Sequence, residues 1–138
     1  MSKGGKLALA VAGAVVVLAW RRLRPFTVAV EGDSMLPRLA PGDWLIGLAG
    51  ARPKRGSIVV LEHPLRPGFE MVKRVDRLPR EQIPGHEPHR LGPDEYWLIG
   101  TNERQSTDGR TFGPIAARQL RGVAVLRFRR PGRFELLP

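Results

Sequence analysis

Ser34 stands in Glu31-Gly32-Asp33-Ser34-Met35-Leu36-Pro37, and Lys73 follows thirty-nine residues later in Met71-Val72-Lys73-Arg74-Val75. A serine on a turn and a lysine in an apolar, alternating segment are the two groups that a Ser/Lys hydrolase needs, because a desolvated lysine can serve as general base. A free lysine, with a pKa of about 10.4, is a useless base at neutral pH. Its surroundings must lower that value by several units before it can take the proton of Ser34. Gly32 and Asp33 supply turn propensity ahead of the serine, and Pro37, Pro41 and Gly42 stiffen the return of the chain. A serine on such a turn presents its hydroxyl and its own backbone N–H to one carbonyl carbon, giving a nucleophile and part of an oxyanion hole together.

These groups must be positioned by strands. Alternation in Phe69 to Val75 predicts one face carrying Met71, Lys73 and Val75 and an opposite face carrying Val72 and a solvated Arg74. Further short apolar runs, Thr27 to Val30, Trp44 to Leu48, Ser57 to Leu61, Tyr96 to Ile99 and Gly122 to Phe128, also read as strands. Sixteen glycines and thirteen prolines exclude long helices beyond residue 24 and leave one helical turn near Pro114 to Leu120. The predicted fold is therefore mostly β. The polar, proline-rich stretch from Leu78 to Asp94 reads as a surface loop.

A third polar cluster runs from Gly100 to Pro114. In it Asp108 and Arg110 can pair to brace the loop, and the Ser106 hydroxyl can orient the ammonium of Lys73. His63 offers a different arrangement, a Ser34-His63-Asp108 triad, although the lysine explains more of the pattern. His86 and His89 lie in the proline-rich loop without further ligands suited to zinc, so no metal is expected.

At 138 residues there is room for one catalytic domain, and the absence of cysteine removes thiolate nucleophiles, disulfides and cysteine-based zinc sites. Leu7 to Trp20 carries no polar side chain, follows Lys3 and Lys6, and ends at Arg21-Arg22-Leu23-Arg24. As a helix these fourteen residues rise about 21 Å against a hydrocarbon core of about 30 Å, so crossing requires snorkelling cations or a thinned bilayer. The segment is read as an uncleaved anchor, residues 1–24, ahead of a catalytic domain, residues 25–138. The net charge of +10 is arginine-rich and does not choose between nucleic acid and an anionic membrane surface.

Taken together, the segments resemble the type I signal peptidases, the membrane-bound Ser/Lys proteases that remove leader peptides. Val30 to Leu39 is similar to the nucleophile box, Arg55 to Val60 to the next, Val72 to Val75 to the box with the lysine base, and Gly100 to Arg110 to the last, in the family's order. The resemblance implies a β-rich domain, Ser34 as nucleophile, Lys73 as base, and supporting roles for Ser106, Asp108 and Arg110. Thr101, Gly109, Arg38 and Ser57 depart from the family's usual aspartate, serine, threonine and aspartate. The substrate is expected to bind extended beside Ser34, with Met35 and its apolar neighbours leaving shallow pockets for small side chains. Implied partners are leader-bearing precursors and membrane lipid, with no nucleic acid and no cofactor. The implied location is a single-pass membrane protein with its catalytic domain on the extracytoplasmic side. Ser106 to Gly113 also resembles the maturation protease of nickel superoxide dismutase. Self-cleaving repressors share the Ser-Met and Val-Lys-Arg elements, but no helix-turn-helix segment precedes the dyad here.

Overall fold

The computed structural model describes residues 2–85, 88–102, 109–129 and 132–138. Helix α1 (Lys3–Leu23) carries the apolar segment. Ser2 caps its start by accepting from Gly5 N at 3.3 Å, and Arg24, at φ 46°, closes its end with its N–H on Trp20 O. The helix is longer than the apolar run that predicts it, because it continues through Lys3 and Lys6 at one end and Arg21 and Arg22 at the other. Its 21 residues rise about 32 Å, close to a hydrocarbon thickness, and none of them is buried. It is long and apolar enough to cross a membrane. Gly50 N bonds Leu23 O at 2.9 Å and Ala49 N bonds Arg24 O at 3.2 Å, tying the helix end to the body. A β-carbon at position 50 would lie 2.0 Å from Arg22 O, so this contact requires glycine.

The body is one antiparallel sheet. Strands β1 (Pro25–Ala29), β2 (Trp44–Leu48), β3 (Ile58–Glu62), β4 (Glu70–Arg77), β5 (Glu95–Ile99), β6 (Ile115–Ala116), β7 (Leu120–Arg129) and β8 (Arg133–Leu136) join in the order β1-β2-β7-β3-β4-β5-β6. Strand β8 pairs β7 beyond the point where β3 ends, since Ala124 faces Ile58 and Leu126 faces Leu136. Bulges between Ile46 and Gly47, Val60 and Leu61, and Val75 and Arg77 bend the sheet. Ile58, Val59, Val60 and Leu61 are all buried, so β3 is covered on both faces. On one side Val59, Leu61, Met71, Val75, Tyr96, Leu98, Ile115 and Val123 pack together. On the other Val30, Met35, Leu39, Leu45, Ile58 and Ala124 form a second cluster.

The mostly β reading and its six strands agree with this architecture, and a 3₁₀ turn at Ala117–Gln119 fills the expected helical position. Strands β6 and β8 and the short helix α2 (Gly109–Phe112) are additions. Arg74 corrects the expectation of a solvated side chain. It is half-buried and its Nε has no hydrogen-bond partner among the described residues.

Candidate active site

Ser34 lies on the loop between β1 and β2, whose neck is closed by Val30 N on Asp43 O (2.8 Å) and Gly42 N on Val30 O (3.0 Å). Gly32, at φ 72°, makes the turn that leads into the serine. Met35 and Leu39 bury themselves in the second cluster, so the loop is anchored by its own apolar side chains. The Leu36–Pro37 peptide is cis. From outside, Asn102 donates its side chain to Asp33 O at 2.9 Å and its backbone N–H to Ser34 O at 2.8 Å. Thr101 Oγ1 donates to Leu36 O at 3.0 Å. Three bonds from one short segment thus hold the backbone on both sides of Ser34.

Lys73 is fixed by β4. It faces Val59 across β3, and cross-strand partners share a face, so its side chain sits with Met71 and Val75 as alternation predicts. Only 2 % of Lys73 is exposed. Pairing of β4 with β5 starts at Arg74, so residues 70–73 run on past the end of β5. Among the described residues β1 joins β2 alone, which makes its other side an edge of the sheet. Between these two segments opens a cleft of about 560 Å³, lined by residues 27–35 and 69–73 together with Trp44, His63, Arg66 and Gly68. Ser34, Met35 and Lys73 all line it.

His63 lines the same cleft, with its ring edge-on to Phe69 and Phe112. Leu65 N donates to His63 Nδ1 at 3.0 Å. In a triad that nitrogen donates a hydrogen bond to the aspartate, whereas here it accepts one from Leu65. Ser106 and Asp108 lie outside the described residues. Arg110 is described, exposed on α2.

The residues that frame the loop were not singled out from the sequence. Thr101 is named there only as a departure, and Asn102 and Asp43 carry no reading of their own. The Asp43 carboxylate is 2 % exposed and accepts from Arg129 Nε at 2.8 Å, Arg129 Nη2 at 3.0 Å and Ala40 N at 3.0 Å. The Arg129 bonds hold its carboxyl below the usual carboxylate range despite the opposing effect of burial.

Comparison with known proteins fits this geometry. The family described as "Signal peptidase, peptidase S26" matches residues 4–87 and 76–129. The chain belongs to the signal peptidase S26 family. It is 32 % identical over 111 residues to mitochondrial inner membrane protease subunit 1 of Xenopus tropicalis, covering 72 % of this chain and 66 % of the relative. It is 30 % identical over 112 residues to subunit 2 of the same protease from Saccharomyces cerevisiae, with 70 % and 63 % covered. Against subunit 1 of Homo sapiens the identity is 32 % over 106 residues, with 69 % and 64 % covered. The chain therefore spans just under two thirds of the length of these relatives.

One departure from the S26 pattern has a steric reason. A β-carbon on Gly109 would sit 2.8 Å from Leu98 O and 2.9 Å from Cε2 of the buried Trp97. The serine usual in the family does not fit here unless α2 moves away from β5. Glycine lets that helix start directly against the sheet.

Proposed function

We propose that this S26 protein is a serine endopeptidase that removes leader peptides from precursor proteins, with Ser34 as nucleophile and Lys73 as general base. The observation that carries the reading is that one cleft is lined by a loop serine and by a lysine buried in a strand interior. Burial disfavours the ammonium, which is the direction a general base requires. The amine takes the Ser34 hydroxyl proton as Oγ attacks the scissile carbonyl. Glycine at position 32 has no hydroxyl to offer, which leaves the N–H of Ser34 as the donor to the developing oxyanion. Lys73 then returns the proton to the leaving amine, and a water activated by the same amine frees the acyl group. Asn102 and Thr101 hold the nucleophile loop in place, while Ser106 orients the Lys73 ammonium and Asp108 and Arg110 pair to brace their own segment.

The β1 and β4 segments that flank the cleft suit an extended substrate running between them with Met35 against its side chains. Residues 1–24 form a single-pass anchor and residues 25–138 the catalytic domain, placed on the extracytoplasmic side where leaders emerge. The partners are precursor proteins and membrane lipid. The test is to incubate the detergent-solubilised protein with leader-bearing precursors and map the products by mass spectrometry. Cleavage after small residues, absent in Ser34→Ala, supports the reading; no cleavage of any precursor, or cuts after large or charged residues, contradicts it.

A further inference from the structure

On the side of the nucleophile loop away from Thr101 and Asn102 lies a second set of bonds, made by the C-terminal hairpin. Asp43, at the neck of the loop, is gripped by Arg129 near the end of β7. Arg127, two residues earlier on the same strand, donates to Arg38 O at 2.8 Å and pairs with Glu135 of β8. Glu135 in turn takes Arg38 Nη1 at 2.6 Å. The chain Asp43–Arg129 and Arg38–Glu135–Arg127 therefore bonds the loop at its middle and at its end to two strands that are paired to each other. Leu137, just past β8, packs on the cluster that contains Met35 and Leu39. Its N–H bonds Val125 O at 2.9 Å. None of these groups lines the cleft. The polar bonds to the loop fall on Arg38 and Asp43, four and nine positions after Ser34.

We infer that the Asp43–Arg129 pair and the Arg38–Glu135–Arg127 bridge are positioning residues that set the height of Ser34 against Lys73, making the C-terminal hairpin part of the catalytic apparatus. The inference rests on the proposed Ser34/Lys73 chemistry. The bidentate pair is the rigid element: its geometry is fixed by two parallel bonds, and the Asp43 carboxylate is shielded from water while Arg129 is half-exposed. A displacement of about 1 Å at a nucleophile can lower turnover about 100-fold. A brace at the loop's end thus has leverage on kcat while leaving the strand segments that flank the cleft untouched.

The experiment compares Arg129→Met, Arg129→Lys and Glu135→Gln with the wild-type full-length protein in detergent. It measures kcat and KM on one cleavable leader peptide, together with amide exchange at Leu36, Leu39 and Gly42 and at Val59 to Leu61. Expected for Arg129→Met is a loss of kcat of about 10- to 100-fold with KM within about twofold. Loop amides should exchange faster while the β3 amides do not change, and Arg129→Lys should recover part of the turnover. Glu135→Gln, at a half-exposed site that threatens folding less, should show the same pattern in weaker form. Unchanged kcat in both Arg129→Met and Glu135→Gln, or a rise in KM alone, overturns the inference. So does faster exchange spread evenly through β3, which marks a structural role only. An inactive wild type would instead defeat the protease reading, and unaltered loop exchange in Arg129→Met would then refute the brace by itself.

Discussion

Gly109→Ser should damage this protein although serine is the usual residue in its family. The substitution places a β-carbon 2.8 Å from Leu98 O and 2.9 to 3.0 Å from the Trp97 ring, and neither a strand carbonyl nor a buried indole yields like a flexible side chain. Such overpacking costs about 1–3 kcal/mol. For a domain of this size that corresponds to a fall in melting temperature of roughly 4–12 °C, at about 4 °C per kcal/mol. Relief requires α2 to move off β5, and α2 carries Arg110 and follows Ser106 and Asp108 in the sequence. Activity should therefore fall by more than the loss of folded protein explains. Scanning calorimetry through the transition and peptide turnover at 25 °C, below it, separate the two effects. A Gly109→Ser protein that melts within 1 °C of the wild type would refute the steric argument, because the contact would have been absorbed without cost.

Three further outcomes follow from the same geometry. Asp43 has its carboxyl held low by Arg129, so the stability it contributes is complete above the ordinary value of about 3.8 and drains away as pH falls through the lowered one. Asp43→Asn should remove that part of the acid unfolding transition, measured by circular dichroism between about pH 5 and 2. His63→Ala should keep most peptide turnover, since its Nδ1 is engaged by Leu65 N; a loss beyond about 100-fold would revive the triad. Removal of residues 1–24 should yield a soluble domain that still cuts a peptide, and release of the full-length protein from membranes by high salt alone would replace the spanning anchor with a surface-lying helix.

What the sequence discloses and what it hides divide along contact distance. Strand β2 coincides with the predicted Trp44 to Leu48, and the buried Met71, Lys73 and Val75 appear directly in the alternation, because period-two patterning is a local record of which face is covered. Strand β8 escaped notice, although Phe134 and Leu136 alternate with Arg133 and Glu135, since its four residues are exposed or half-exposed and mostly charged or isolated. Arg74 misled for the opposite reason: alternation places it away from the first cluster, and only the folding of the Ser34 loop across the other face shows that this side is also covered. The braces were unreadable in principle. Asn102 meets Asp33 across 69 positions and Arg129 meets Asp43 across 86, and no local pattern encodes which distant carbonyl or carboxylate an arginine or asparagine will find once the strands are in register. Helix α1 runs beyond its apolar run because Ser2 and Arg24 supply the caps, which lie outside the hydrophobic stretch that predicts it.

The central claim, that a neutral Lys73 activates Ser34, is tested most directly by the pH dependence of kcat/KM for the wild type beside Lys73→Arg. Wild-type activity should rise with pH through a single ionisation well below the value of about 10.4 of a free lysine, and Lys73→Arg should be as inactive as Ser34→Ala at every pH, because a guanidinium stays protonated. Turnover retained by Lys73→Arg, or a wild-type profile without that ionisation, would contradict the account.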